Sequence, residues 1–225
     1  LPMPRSEPQP GILPEPSPHA RFVVLRAHDP VTAARVAAKI PALTAKLAVL
    51  DRGARLACTV SLGSELWDRV SAGRRPRGLR PFPALDNGSL RAPSTGGDLL
   101  LHILSKRVDL NFELAARVRG ELGGAVSVLD DVTGFKYLDG RDLTGFIDGT
   151  ENPKGKARAP VALIGSEDPD FTGGSYVFTQ RYVHDLSKWA GVPLKEQEGT
   201  IGRRKRDSKE LPDKTKPPTA HISRV

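Results

Sequence analysis

Apolar positions along the chain change their spacing several times, and each change marks a new element. Phe22 to Arg26 is a short apolar run of strand type. Asp29-Pro30 then offers an N-cap followed by proline at the first helical position. Val36, Ile40, Leu43, Leu47 and Leu50 follow at spacings of four, three, four and three, which predicts one apolar helix face. Pro41 lies inside that helix and is expected to kink or split it. Leu56, Cys58, Val60 and Leu62 alternate with smaller or more polar residues, the pattern of a half-buried strand. Ser64-Glu65-Leu66-Trp67 opens a short helix. Residues 71 to 97 read as a long, arginine-rich loop with a tight turn at Asn87-Gly88. Asp98 to Leu104 is an apolar strand carrying His102. Asp109 is expected to cap a second helix whose inner side holds Phe112, Ala115, Ala116, Val118 and Leu122, and Gly123-Gly124 ends it. Ala125 to Leu129 is another strand.

The order strand, helix, strand, strand, helix, strand is that of a split βαβ, ferredoxin-like unit. It predicts an α+β domain over residues 21–135, an antiparallel sheet with helices on it. Residues 1–20 hold Pro2, Pro4, Pro8, Pro10, Pro14, Pro16 and Pro18 and read as an extended arm. Beyond the first domain, Ala159 to Gly165 reads as a short strand, the second half of Phe171 to Val183 alternates like another, and His184 to Trp189 begins a helix. A second domain over 136–225 would then own two or three strands and one helix, thin for a closed core, so it reads as cut short.

Composition narrows the function classes. The chain has 225 residues, 38% of them hydrophobic and 27% charged, enough for one or two domains with sizeable cores. A formal charge of +8 suits nucleic acid, an anionic surface or an anionic small molecule. Aromatic residues are only 5%, and none interleave with basic ones on a strand, which argues against base stacking on nucleic acid. The single cysteine, Cys58, allows no internal disulfide and no zinc or iron–sulfur cluster. No apolar run approaches the ~20 residues of a membrane helix. No charged-then-apolar leader opens the chain, so a cytoplasmic address without a membrane partner is expected. Neither a Gly-x-Ser-x-Gly elbow nor a phosphate-binding Gly-x-x-x-x-Gly-Lys loop is present.

One stretch concentrates chemistry: Leu143-Thr144-Gly145-Phe146-Ile147-Asp148-Gly149-Thr150-Glu151-Asn152-Pro153. Phe146-Ile147 delivers a single carboxylate, Asp148, between two glycines that permit unusual backbone angles and close approach. A carboxylate kept among apolar side chains has its charged form disfavoured, which suits proton transfer. An ordinary Asp-Gly turn, with the Asp bonding its own backbone, explains the dipeptide equally well. The five histidines, His19, His28, His102, His184 and His221, show no helical metal-site spacing.

The eleven-residue stretch resembles the signature of the dye-decolorizing peroxidases, a family of haem enzymes. Three more segments resemble that family in the same order: Gln9-Pro10-Gly11-Ile12-Leu13-Pro14, Gly173-Gly174-Ser175-Tyr176, and the run from Gln197 to Ser208 followed by Pro217 to Val225. The resemblance implies two tandem ferredoxin-like domains with haem b in the second. It implies His221 as the axial ligand of the haem iron and Asp148 as the distal group that moves a proton between the two oxygens of hydrogen peroxide. Glu151, Asn152 and Pro153 match the segment along the haem, and the cluster from Arg203 to Arg206, with Arg203 as its expected haem-binding member, suits the haem propionates. The implied co-substrates are small organic electron donors such as dyes and phenols, and the implied assembly is a homo-oligomer.

In that family more strands and helices follow the axial histidine, carrying a distal arginine and the acid that bonds the proximal imidazole. The resemblance therefore leaves two outcomes for this chain: a fragment of a working peroxidase, or a haem-binding or haem-handling protein with little turnover. A basic nucleic-acid-binding module is a third reading, resting on charge alone.

Overall fold

Four of the alternating segments pair into one antiparallel sheet in the order β2-β5-β1-β6. These strands are β1 (His19–Ala27), β2 (Ala57–Leu62), β5 (Leu99–Ser105) and β6 (Val126–Phe135). A separate hairpin, β3 (Leu85–Asp86) and β4 (Arg91–Ala92), closes around the Asn87-Gly88 turn. In the central pair Leu25 lies opposite Leu99 and Val23 opposite Leu101. The computed structural model describes residues 7–224. Pro2 and Pro4 of the proline-rich arm lie outside the described residues, as does Val225.

Alternation sends Val23, Leu25, Leu99, Leu101, Ile103, Cys58 and Val60 to one face, where they join one buried cluster with the helices. Helix α1 (Pro30–Ala37) contributes Ala33 and Val36; α2 (Ile40–Ala48) contributes Ile40 and Leu47; α3 (Ser64–Val70) contributes Leu66; α4 (Val108–Leu122) contributes Leu114 and Val118. Full burial of one such aliphatic side chain is worth about 1.5–3 kcal/mol. Asp29 caps α1 through bonds from the Val31 and Thr32 amides at 3.0 and 3.1 Å. The expected single helix is split at Ala38-Lys39, with Pro41 in the first turn of α2, where its missing N–H costs nothing. Leu50, expected on the inner face, falls past the end of α2 and is exposed.

Two positions of α4 depart from expectation. Arg107 is its N-cap, while Asp109 lies in the first turn and pairs with Arg107 at 2.6 Å. The inner face is Leu110, Asn111, Leu114, Ala115, Val118 and Leu122, leaving Ala116 outside and Phe112 59% exposed. Phe112 is used laterally instead, with the Arg21 guanidinium 5.2 Å from its ring centre. Gly123 ends α4 at φ 50, as the glycine pair foretells. The last strand runs on to Phe135, past a register shift that leaves Leu129 without a partner on β1. His102 stacks on Phe22 at 4.5 Å, and burial holds its imidazole below the usual histidine range. Burial also pushes the Cys58 thiol up to about 12, as befits a core residue.

The chain separates into two units, residues 1–135 with 154–178, and residues 136–153 with 179–225. The first unit's sheet ends with β6 at Phe135, and 154–178 packs with that unit. There Asp168, buried, accepts the Arg77 amide at 2.7 Å, and the Tyr176 hydroxyl accepts the Gly78 amide at 2.8 Å. Residues 159–165 are not the expected strand. They hold a short helix, α5 (Arg158–Ala162), and then Ile164, which exchanges backbone bonds with Gly173 and Gly174. The alternating run up to Val183 is not a strand either; it has no partner strand among the described residues. The second unit has two helices, α6 (Leu186–Ala190) and α7 (Leu194–Ile201), and among its described residues only isolated bridges in place of a sheet. No helix was expected over the residues of α7, since the only one foreseen in this domain begins at His184. No helix of the described residues is long and apolar enough to cross a membrane.

Asp98 ties three elements of the first unit. Buried, it accepts the Ala27 amide at 2.8 Å through Oδ2, while its own backbone bonds Leu25 and Gly63. Asp98→Ala is expected to cost about 1–3 kcal/mol in urea unfolding, because the Ala27 donor is left buried and unpaired. Asp86→Ala, in an exposed pair with Arg91, is expected to cost less than about 1 kcal/mol. Equal losses from the two substitutions would refute the role given to Asp98.

Candidate functional site

All six residues singled out from the sequence lie in the second unit. The turn carrying Asp148 is built on Phe146. That ring is buried, meets Trp189 edge-on at 6.4 Å, and has the Lys205 ammonium 5.5 Å from its centre. Trp189 Nε1 donates to the Thr144 carbonyl at 2.9 Å. Gln197, buried on α7, donates to the Trp189 and Val192 carbonyls and accepts from Lys205 Nζ at 2.6 Å. Gly145 is at φ 90, and a Cβ there would stand 2.5 Å from Lys205 Cε. The close approach that the glycine implies is therefore made by a lysine stem. At Gly149, φ 68, the approaching group is the amide of Asn152.

Asp148 itself is exposed, and its Oδ1 accepts the Gly149 amide at 2.7 Å. Phe146 turns inward, so it does not surround the carboxylate with apolar material as the sequence led us to expect. The self-bonded Asp-Gly turn is present. The Asp148 amide in turn donates to the Gly140 carbonyl at 2.9 Å, which fixes the backbone behind the side chain. Glu151, Asn152 and Pro153 are exposed.

The basic segment after α7 folds back on itself between the bridge partners Arg203 and Glu210. Within it the four cations Arg203 to Arg206 differ. Arg203 is 13% exposed; its Nη2 pairs with Glu151, its Nη1 donates to the Ser208 carbonyl at 3.0 Å, and its buried Nε has no partner among the described residues. Arg204 forms a two-pronged pair with Asp207. Lys205 belongs to the Phe146 core, and Arg206 is exposed.

His221 is exposed and opens a short 3-10 turn, His221–Ser223, which begins after a backbone bond from Ala220 to Pro217. Ala220 is fully buried. This turn is seated on the end of α7: Gly202, at φ 94, is so close to Ile222 that a Cβ would stand 2.6 Å from Ile222 Cγ1. The contacts thus join Glu151 to Arg203 directly. They join His221 to the same segment through Ile222 and Gly202. Arg141, which no motif pointed to, links the Asp148 turn to the carbonyls of Lys205 and Arg206. No three of the described His, Cys, Asp and Glu side chains cluster as a metal site.

Comparison with known proteins covers both units. A Dyp-type peroxidase N-terminal model matches residues 9–136, and a Dyp-type peroxidase C-terminal model matches residues 139–225. A dye-decolorizing peroxidase of Rhodococcus erythropolis is 50% identical over 75% of this chain and 49% of its own length. One from Mycobacterium tuberculosis is 43% identical over 98% of this chain and 66% of its own. The chain thus spans between about half and two thirds of these relatives. Among solved structures, a Rhodococcus jostii RHA1 DypB variant in complex with heme superposes with a TM-score of 0.92 at 45% identity, covering 96% of this chain and 71% of that one.

The seating of the His221 turn on Gly202 can be tested directly. Gly202→Ala is expected to destabilise the second unit by about 1–3 kcal/mol, from the positive φ and the clash with Ile222 together. Gly199→Ala, inside α7 where a Cβ would stand 3.7 Å from Pro217 Cγ, is expected to be neutral or stabilising. Trp189 fluorescence during urea unfolding reads both, and a harmless Gly202→Ala would remove the seat.

Proposed function

Because this chain belongs to the dye-decolorizing, Dyp-type peroxidase family, we propose that it serves a haem-dependent peroxidase, reducing hydrogen peroxide while oxidising small organic donors such as dyes and phenols. The observation that carries this is the match of the family's two models, in order, to residues 9–136 and 139–225. The proposed setting is cytoplasmic and the proposed assembly a homo-oligomer.

The side chains present suit haem b. Its macrocycle supplies four ligands to the iron, so one imidazole completes the protein's share, and His221 offers an exposed ring. Arg203 has a buried N–H without an acceptor beside its pair with Glu151. An unmet buried donor costs about 1–3 kcal/mol, and a propionate carboxylate would meet it. Glu151, Asn152 and Pro153 line the same side of the turn in this proposal. When bound, the haem supplies the redox chemistry with peroxide. Asp148 holds and moves the proton. Its Oδ1 is committed to the Gly149 amide, which orients the carboxylate and leaves Oδ2 to take a proton from one peroxide oxygen and return it to the other. General acid–base catalysis of this kind is worth about 10²–10⁴-fold.

One observation favours haem handling with little turnover as a second reading: Asp148 is exposed rather than enclosed. Nucleic acid is a weaker partner still, because several arginines are taken up in pairs, among them Arg21–Asp131, Arg75–Asp68 and Arg107–Asp109.

Titration of the purified chain with hemin, followed by peroxide and a dye, separates these readings. A sharp Soret band lost in His221→Ala, with dye oxidation reduced about 10²–10⁴-fold in Asp148→Asn, is the expected result. A Soret band without dye oxidation would favour haem handling. A hemin spectrum that the chain leaves unchanged would defeat both.

A further inference from the structure

Arg141 makes five hydrogen bonds, as many as a guanidinium has N–H groups. Nε and Nη2 hold the Asp139 carboxylate at 2.7 and 3.1 Å. Nη1 donates to the Gly145 carbonyl at 2.8 Å and to the Lys205 carbonyl at 2.6 Å, and Nη2 reaches the Arg206 carbonyl at 3.3 Å. The side chain is 17% exposed. The pairing with Arg141 also holds the Asp139 carboxyl below its ordinary range.

The acceptors fall in three places: Asp139 in the turn that Arg141 ends, Gly145 three residues before Asp148, and the basic segment 64 and 65 residues further along. Arg203 makes the reverse connection, from the basic segment to Glu151, three residues after Asp148. Asp148 therefore sits midway between two arginine ties that run in opposite directions between the same two stretches. Backbone bridges from Arg141 to Tyr137 and Ile147 add to the tie on the near side.

Resting on the peroxidase reading, we infer that Arg141 is a positioning residue: it sets where the Asp148 carboxylate stands relative to the segment that, through Gly202, seats His221. Lysine cannot replace it. An ammonium is a point charge with three donors and cannot reach Asp139, Gly145 and the Lys205–Arg206 carbonyls at once. Misplacement of a catalytic group by about 1 Å is enough to cost up to about 10²-fold in rate. The imidazole–iron bond does not involve Arg141, so haem affinity is expected to be spared.

The test uses the full chain with Arg141→Lys and Arg141→Ala. Hydrogen exchange on the hemin-free proteins comes first. Amides of residues 145–149 and 205–209 are expected to lose protection in both variants while the sheet amides of β1 and β5 keep theirs, and millimolar methylguanidinium is expected to restore protection in Arg141→Ala. With hemin, affinity is expected to stay within about threefold of the parent, the second-order reaction with peroxide to fall about 10–100-fold with an altered pH profile, and methylguanidinium to recover it. Unchanged exchange, or a peroxide rate and pH profile equal to the parent's, would overturn the inference while leaving the peroxidase reading standing. Loss of hemin binding in both variants while the sheet amides stay protected would overturn it too. A parent chain that neither binds hemin nor reacts with peroxide would sink the peroxidase reading itself, and the role of Arg141 with it.

Discussion

Every backbone N–H and C=O withdrawn from water needs a partner, and the two units meet this demand differently. In the first, the strands do it: β1 is bonded along its length to β5 on one side and β6 on the other. The described part of the second unit has no sheet, so side chains take over. Arg141 serves the carbonyls of Gly145, Lys205 and Arg206; Gln197 serves those of Trp189 and Val192; the Trp189 indole serves that of Thr144. Removing a strand residue's side chain leaves ladder bonds intact. Removing any of these three side chains strands one or more carbonyls and detaches a turn. The stretch that carries the candidate chemistry is therefore held by a few side chains, each with more than one duty.

Glycine makes this arrangement possible at three points. Gly145 and Gly202 have positive φ and press against the side chains of Lys205 and Ile222, and Gly149 has positive φ beside Asn152. Each close approach draws in a neighbour of the same unit. A glycine-flanked acid reads from sequence as an opening for a ligand, yet at both glycines the space is taken by protein. What the glycines secure is the path of the chain, so that the exposed groups, Asp148 and His221, stand on turns anchored by the buried Phe146 and Ala220.

The fold of the first unit was legible because its cues are local. Alternation, the Asp29-Pro30 cap, the Asn87-Gly88 turn and the Gly123 stop all act within a few residues, and the strand order follows from them. The α4 face slipped because Phe112 is apolar but satisfied by the Arg21 cation rather than by the core. Residues 159–165 and the run up to Val183 failed as strands because an alternating pattern becomes a strand only when another strand pairs with it. In the second unit, Glu151 and Arg203, which the family resemblance marked separately, form an ion pair. Arg141 was not legible. Its acceptors are main-chain carbonyls, which every residue has, and two of them lie more than 60 residues away. No side-chain pattern can announce such a bond.

In the role proposed for Asp148, its exposure bears on which property of a proton-transfer group is built first. Geometry must be right before acidity matters, since a carboxylate that points away transfers nothing at any pKa. Here orientation is already in place: the Gly149 amide fixes Oδ1, the Gly140 carbonyl fixes the backbone behind it, and the flanking ties at Gly145 and Glu151 fix the turn. Desolvation is not in place, because Phe146 spends its apolar surface on Trp189 and Lys205. A flat macrocycle laid over the turn would exclude water from the carboxylate without moving any of these contacts. Under the proposed role of Asp148, the chain would supply the direction of the carboxylate, and a group laid over it would supply the exclusion of water.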